Sequence, residues 1–364
     1  MARALLARTP GLTADSATAL LAAAGGDLTL LADAARGAAG SALPPATRSF
    51  LSVRDARRLE ADLEWLARSA TAIVLWTDPT YPPLLRQTAA APAALYVQGS
   101  VPLLSASQLA MVGSRSPTPA GRSTAREFAA WFARQGLAVT SGLATGIDAA
   151  CHEGALAGGG ETLAVFGTGL DRVYPPEHRA LAERIRAHGA LLSEFPPGTA
   201  PLPENFPRRN RIIAGLALGT LVVEATRRSG SLITARLAAE AGREVFAIPG
   251  SIHSPLSHGC HQLIKSGAKL VEQADDVVTE LKFLVPQEPL TAVPTAAAGA
   301  GDQPHALDKE YEMLLDALGF EPATIDSLVA RTELNSEAIA SMLLILELQG
   351  RVAALPGGRY GRTP

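Results

Sequence analysis

Six short apolar segments alternate with amphipathic helical patterns between residues 109 and 284, and this alternation constrains the fold more than any other feature. Short apolar runs separated by helices are typical of a parallel sheet whose two faces are covered by helices. The predicted strands cover residues 109–112, 138–140, 162–166, 190–193, 220–223 and 244–248. We therefore expect residues 109–285 to form an α/β domain with a Rossmann-like, mostly parallel, doubly wound sheet.

The segments before this domain have a different composition. Residues 1–68 are rich in Ala and Leu, and breaks at Pro10-Gly11, Gly25-Gly26 and Pro44-Pro45 predict a small helical domain of the SAM or helix-hairpin-helix type. Its turn at residues 10–13 fits either a phosphate contact or a plain helix cap. Residues 69–108 contain many prolines and are predicted to be a structured connection of extended loops.

The segments after the α/β domain form two further units. Residues 286–305 are rich in Pro, Ala, Thr and Gly and predict a flexible linker. Residues 306–364 show three helical patterns and a hairpin, an order that fits a winged helix. The third helix of this unit lacks Lys and Arg and carries Glu337 and Glu347, so we expect it to bind protein or pack on its own chain rather than on DNA.

Composition restricts the classes of partner. The 364 residues include 32 Lys plus Arg and 35 Asp plus Glu, and a net charge of -3 provides no overall attraction for a polyanion. Any nucleic-acid site must therefore be local. Two cysteines, Cys151 and Cys260, cannot build a disulfide or zinc framework, which favours a reducing cytoplasmic compartment. No apolar run approaches the ~20 residues that span a bilayer, so neither a membrane anchor nor a signal peptide is expected.

Three predicted strands are followed by loops suited to anions. Gly113-Ser114-Arg115 follows the first and precedes a helix opened by Pro119, so amides, a hydroxyl and a guanidinium can converge on a phosphate. Ser141-Gly142 and Gly167-Thr168 follow the second and third strands. A tight structural turn explains each loop equally well when it is taken alone.

Ionisable residues near these loops have two interpretations. Asp148 fits a helix cap or a loop tether as well as it fits a ligand contact. His152 and His178 lie on predicted helices without neighbours at metal-ligand spacing, which favours packing or capping over catalysis or metal binding.

The densest basic cluster comprises Phe206, Arg208, Arg209, Asn210 and Arg211. Arginines beside an aromatic ring supply the phosphate contacts and the stacking surface that single-stranded nucleic acids require. The alternative is that some of these arginines tie loops together through Glu194 or Glu224.

The ordered set of motifs resembles the bacterial DNA-processing protein A family (DprA/Smf). The matching residues are 113–115, 141–148 with His152, 167–171 with Tyr174-Pro175, 193–196, 206–215 and 224–250. The resemblance implies a domain that binds single-stranded DNA without catalysis or cofactor, protects the DNA, helps load the RecA recombinase in natural transformation, and forms a homodimer. It also implies DNA contacts at Gly113, Ser114, Arg115, Arg208, Asn210 and Arg211.

This sequence departs from the family pattern at Thr145, Cys151 and His261, which puts contacts there in doubt. An alternative function is a Rossmann-like nucleotide hydrolase related to phosphoribohydrolases, with Glu224, Asp148 or His152 as acid or base. The Pro-Gly-Gly-x-Gly-Thr loop of those enzymes is missing from the sequence. An assembly scaffold acting through the terminal domains is a third hypothesis.

Overall fold

The computed structural model describes residues 2–27, 30–37, 40–41, 43–52, 56–281, 309–319, 322–332 and 334–363. The linker predicted at residues 286–305 lies outside these ranges. In the described residues, no helix is long and apolar enough to cross a membrane.

Five helices precede the sheet: α1 (Ala2–Arg8), α2 (Ala14–Ala23), α3 (Leu31–Arg36), α4 (Pro45–Ser52) and α5 (Ala56–Arg68). Their apolar residues belong to the same buried cluster as residues of the sheet, so they share its core. The turn at residues 10–13 contacts protein: Thr13 forms a β-bridge with Pro92, and the Thr47 hydroxyl donates to the Pro10 carbonyl at 2.8 Å. These contacts favour the structural interpretation of this turn.

Nine strands of the described chain form one sheet: β1 (Ala72–Leu75), β2 (Ala94–Gly99), β3 (Gln108–Val112), β4 (Ala138–Ser141), β5 (Thr162–Val165), β6 (Ala190–Ser193), β7 (Gly219–Val222), β8 (Glu244–Ala247) and β9 (Lys269–Leu270). Their order across the sheet is β1-β2-β6-β5-β4-β3-β7-β8-β9. β2 is antiparallel to both neighbours, and the remaining pairs are parallel. The predicted Rossmann-like, mostly parallel sheet and its six strands are confirmed.

The order of the strands creates a topological switch point. From β3 the chain moves outward through β4, β5 and β6, and it then returns to place β7, β8 and β9 on the other side of β3. Leu109 of β3 accordingly pairs with Val139 on one side and with Gly219 on the other. In open α/β sheets, the loops that leave such adjacent strands diverge and open a crevice at their carboxyl ends.

Helices cover the sheet: α6 (Pro83–Arg86), α7 (Pro119–Arg134), α8 (Ile147–Ala157), α9 (Arg179–His188), α10 (Asn205–Leu216), α11 (Ser231–Glu240), α12 (His258–Lys265) and α13 (Ala274–Leu281). α7 begins where Thr118 caps it, since the Thr118 hydroxyl accepts from the Gly121 amide at 2.9 Å. Each helix that follows a parallel strand points its amino end toward the crevice edge of the sheet.

The sheet extends further toward the amino terminus than the expected domain start at residue 109. β1 and β2 belong to it, although residues 69–108 were expected to be a connection of loops. The prolines of this region do not interrupt either strand, because Pro79, Pro82 and Pro83 lie between β1 and β2 and Pro102 begins a short 3-10 helix at Pro102–Ser105. Proline is excluded from strand interiors but not from the turns between strands.

The C-terminal unit contains α14 (Lys309–Leu318), β10 (Ala323–Thr324), α15 (Ile325–Thr332), α16 (Ser336–Leu348), β11 (Val352–Leu355) and β12 (Arg359–Arg362). The strands form a separate three-stranded sheet in the order β10-β12-β11, and its helices pack a separate core around Leu328, Leu343 and Leu346. Three helices followed by a hairpin confirm the predicted winged helix.

Candidate functional site

A cavity of about 740 Å³ opens at the switch point between β3 and β7. Its walls come from residues 113–116 after β3, from one face of α10, and from the turn and helix start after β7. We call this cavity the switch-point pocket. Its position matches the crevice that the strand order requires.

The loop after β3 forms one wall, and its backbone is held in place. The Ser114 carbonyl accepts from the Ile147 amide at 3.0 Å, and the Ser114 hydroxyl accepts from the Ser116 amide at 3.1 Å. A Cβ at Gly113 would lie 2.7 Å from the Ile147 side chain, so the close approach of this loop to α8 requires glycine. Arg115 is the exposed cation of the loop, and no acid among the described residues pairs with it.

Glu224 ties the two sides of the switch point together. Its carboxylate accepts from the Thr118 amide at 2.9 Å and from the Thr118 hydroxyl at 2.6 Å. Burial raises the pKa of Glu224, and the two hydrogen bonds from Thr118 act in the opposite direction. Both oxygens are therefore engaged in holding the start of α7 against the end of β7.

Aromatic rings and a guanidinium meet in the pocket. The Arg115 guanidinium carbon lies 5.8 Å from the centroid of the Phe206 ring. The Tyr174 ring lies 5.5 Å from the Phe206 ring at an angle of 43°, and Tyr174 is 45% exposed. A cation beside a partly exposed aromatic pair can contact a phosphate and a base of the same nucleotide. Tyr174 was not among the predicted site residues, although an aromatic residue in an extended Pro-rich arm is a usable signal.

The periodicity of α10 selects which members of the basic cluster face the pocket. Phe206, Arg209, Asn210 and Ile213 line it, at the i, i+3, i+4, i+7 spacing of one helix face. The Asn210 amide nitrogen lies 3.4 Å from the Gly230 carbonyl across the pocket.

Arg209 forms the floor of the pocket rather than an exposed contact. It is 4% exposed and donates to the Val165 carbonyl, and its guanidinium fills the space that a side chain at Gly142 would need. Burial lowers the pKa of Arg209 to about 10, while the nearby Asp148 opposes this shift. Arg209 therefore remains a cation at neutral pH and acts on the pocket mainly through its charge.

Asp148 tethers the loop after β4. Its carboxylate accepts from the Gly142 amide at 3.1 Å and from the Ala144 amide at 3.3 Å. Burial raises its pKa, against the attraction of Arg209 and the two amide hydrogen bonds. Of the two interpretations, the loop tether is the one that the geometry supports.

Arg208 and Arg211 lie on the other face of α10, where both donate to the Glu194 carboxylate. Arg211 also donates to the Ala90 carbonyl at 2.5 Å, and its side chain is only 18% exposed. Arg208 lies over the Phe195 ring at 5.3 Å but remains 45% exposed. Neither arginine lines the switch-point pocket, because i and i+3 residues share a face and this face is turned toward Glu194.

Four other predicted site residues are structural. Ser141 is fully buried and donates to the Met111 carbonyl at 2.6 Å, and Thr168 is 1% exposed and donates to the Arg172 carbonyl at 2.7 Å. Gly142 packs against the Arg209 guanidinium, and Gly167 packs against the Phe206 ring. The side chains of Ser141 and Thr168 cannot touch a ligand in this arrangement, and the two glycines make room for pocket residues.

Both histidines have structural partners. His152 is fully buried with Nδ1 2.7 Å from the Thr162 hydroxyl, and His178 Nδ1 lies 2.9 Å from the Leu143 carbonyl. Among the described residues, no group of three or more His, Cys, Asp or Glu could hold a metal ion.

None of the residues that depart from the family pattern lines the switch-point pocket. Cys151 is fully buried in the core, and Thr145 is half-buried beside Gly146. His261 lies on α12, and its Nε2 is 2.9 Å from the Gly250 carbonyl. These three positions therefore contribute no side chain to the lining of the pocket.

Comparison with known proteins identifies the domains. Residues 72–282 match the family model of DNA recombination-mediator protein A, and residues 298–358 match that of the DprA winged helix domain. Protein Smf of Escherichia coli (strain K12) is 41% identical over 319 residues, which cover 85% of this chain and 84% of that protein.

Solved structures agree with the sequence comparison. DNA processing protein A of Streptococcus pneumoniae superposes with a TM-score of 0.65 at 39% identity, covering 75% of this chain and 94% of that one. DNA processing protein A of Helicobacter pylori, a structure described for its single-stranded DNA binding mode, gives a TM-score of 0.54 at 26% identity, covering 59% and 97%. The chain therefore belongs to the DNA processing protein A (DprA/Smf) family.

Proposed function

We propose that this protein binds single-stranded DNA in the switch-point pocket, without base specificity and without catalysis. The observation that carries the proposal is the placement of Arg115 against the Phe206 and Tyr174 rings at the carboxyl ends of β3 and β7. Arginine neutralises a phosphate, and aromatic rings stack on any base, so the combination favours single strands regardless of sequence.

The remainder of the pocket adds positive potential. α11 begins at Ser231 beside the pocket, and the amino end of a helix attracts anions. Arg209 adds a buried positive charge beneath the site. A phosphate held at Arg115 would thus lie among several groups of favourable charge.

We further propose that the bound strand is protected and passed to a RecA recombinase during natural transformation, and that two copies pair in the cytoplasm. The family description as a recombination mediator supports the first part. Cys151 and Cys260 are both unbonded and buried, which is consistent with a reducing compartment. RecA-dependent ATP hydrolysis on oligonucleotides and sedimentation of the purified protein test these two parts.

The hydrolase alternative has less support. The three residues considered as acid or base are engaged: Glu224 by Thr118, Asp148 by two amides, and His152 by burial against Thr162. Steady release of base or phosphate from nucleotides by the purified protein would favour an enzyme.

The test of DNA binding is a fluorescence anisotropy titration of matched single-stranded and duplex oligonucleotides. We expect tighter binding of the single strand. Replacing Arg115 by alanine should weaken binding of all single-stranded sequences by about tenfold, because the lost contact is to phosphate.

Arg134→Ala is the matched control. Arg134 is exposed at the end of α7, at the opposite edge of the sheet, and its replacement should leave affinity unchanged. Equal affinity for duplex and single strand, or an Arg115→Ala effect confined to some sequences, would contradict the proposal.

A further inference from the structure

A second basic cavity adjoins the switch-point pocket. It has a volume of about 820 Å³ and is bordered by Arg227, Arg228, Arg236 and Arg243. Ser229 and Ile233 line both this cavity and the switch-point pocket, so the two are continuous along the start of α11. We call this second cavity the arginine groove.

The groove continues into a smaller cavity of about 460 Å³ that is also cationic. Arg227, Gln262 and Ser266 line both, and the smaller cavity adds Lys265, His258 and His261. Glu244 is the one acid that lines either cavity within the described residues. Positive charge is therefore concentrated here, on a chain whose net charge is -3.

The four arginines of the groove differ in what engages them. Arg243 donates to the Leu84 carbonyl at 3.1 Å and to Gln87, and Arg236 lies 3.5 Å from Glu240, so both have partners. Arg227 and Arg228 are exposed on the turn after β7, and no hydrogen bond or ion pair engages their side chains in the described part of the chain.

Two adjacent exposed arginines on a surface are often simply solvated. Here their position argues otherwise, because the turn that carries them also supplies Ser229 and Gly230 to the wall of the switch-point pocket. A strand whose phosphate is held at Arg115 and that leaves the pocket across Ser229 would meet Arg227 and Arg228 next.

We propose that the arginine groove is a second phosphate-binding site, which holds the backbone of the same DNA strand after it leaves the switch-point pocket. This inference rests on the proposed function. It assigns Arg227 and Arg228 to backbone contacts, and it makes affinity depend on strand length: only a strand longer than the pocket can reach the groove.

The experiment measures the affinity of the full-length protein for oligothymidylates of about 6 and about 20 nucleotides, a span set by typical single-strand site sizes. The unmodified protein should bind the longer strand more tightly. The double variant Arg227→Ala, Arg228→Ala should lose about tenfold in affinity for the longer strand and keep its affinity for the shorter one, because two phosphate contacts are removed outside the pocket.

The matched control is the double variant Arg134→Ala, Arg184→Ala. It removes the same charge from exposed residues at the opposite edge of the sheet and should leave both affinities unchanged. Thermal unfolding and sedimentation of each variant confirm that its fold and self-association match those of the unmodified protein.

The outcomes separate the two proposals. If the unmodified protein binds neither strand, the proposed function itself fails. If it binds both but the Arg227, Arg228 variant binds the longer strand normally, or loses affinity equally for both lengths, the groove is not a second phosphate site. A variant that loses affinity only together with a change in self-association shows instead that the groove is an interface between copies.

Discussion

At the scale of single residues, burial rather than residue type decides the role of each basic side chain. The cluster at residues 208–211 looks uniform in sequence, yet Arg209 is a buried floor, Arg208 and Arg211 bind Glu194, and Asn210 faces the pocket. The helical period could have separated these faces from sequence alone. The identity of Glu194 as their partner could not be settled, because it depends on how β6 approaches α10.

His152 is a single residue whose protonation affects the stability of the domain. The Thr162 hydroxyl donates to the Val139 carbonyl at 2.6 Å, so it accepts a hydrogen bond from the protonated Nδ1 of His152, and among the described residues the buried Nε2 has no hydrogen-bond partner. Burial first, and then the nearby His178 and Arg209, lower the pKa of His152 from 6.5 to about 3. The folded protein therefore keeps this ring neutral.

The unfolded chain binds a proton at this residue below about pH 6.5, whereas the folded chain does not until about pH 3. The stability contributed by neutral His152 is thus present above pH 6.5 and is lost as pH falls, by up to about 1.4 kcal/mol per pH unit. We expect His152→Gln to remove this slope.

Denaturant unfolding at several pH values between 4 and 8 provides the measurement. The difference in unfolding free energy between the unmodified protein and His152→Gln should shrink as pH decreases. A difference that stays constant with pH would show that His152 is not the titrating group.

At the scale of secondary-structure elements, the strands of the parallel sheet were predictable, because buried parallel strands are short apolar runs. Three strands were missed for physical reasons. β9 has only two residues, and the apolar pattern of β1 and β2 was masked by the prolines of the turns around them. β2 is also antiparallel, which no alternation of strands and helices would indicate.

The C-terminal winged helix gives a prediction about an element. α16 contains no Lys or Arg and exposes Leu344, Ile345 and Leu348, at 57%, 40% and 81%. The approach of this helix to a phosphate backbone would be unfavourable, since it offers no cation and its Glu337 and Glu347 would repel the phosphates. We therefore expect deletion of residues 304–364 to leave the affinity for single-stranded DNA within about twofold of the full-length value.

The truncated protein retains a complete core, because the buried apolar clusters of the sheet end at Leu281 and those of the winged helix begin at Leu314. Titration of the full-length and the truncated protein with the same single-stranded oligonucleotide measures the two affinities. Adding Arg115→Ala to the truncated protein should still weaken binding, which shows that the remaining affinity belongs to the switch-point pocket. A tenfold loss on truncation alone would place part of the DNA site in the winged helix.

At the scale of the whole molecule, a net charge of -3 means that attraction for DNA must come from a few local cations. Along the crevice edge, the exposed arginines that form no ion pair within the described residues are Arg115, Arg227 and Arg228. Each phosphate neutralised on a single strand contributes a slope of about -0.7 to the dependence of the logarithm of affinity on the logarithm of salt concentration. Three contacts give an expected slope of about -2.1 for a long strand.

Affinity measured from low to moderate salt therefore reports how many of these cations the strand reaches. Removing Arg227 and Arg228 together should make the slope shallower by about 1.4, and removing Arg115 alone should change it by about 0.7. The Arg134→Ala, Arg184→Ala variant loses the same charge as the Arg227→Ala, Arg228→Ala variant, but at the opposite edge of the sheet. Its slope should therefore equal that of the unmodified protein. If it became equally shallow, the affinity would depend on overall charge rather than on contacts along the crevice, and the assignment of individual arginines to the strand would fail.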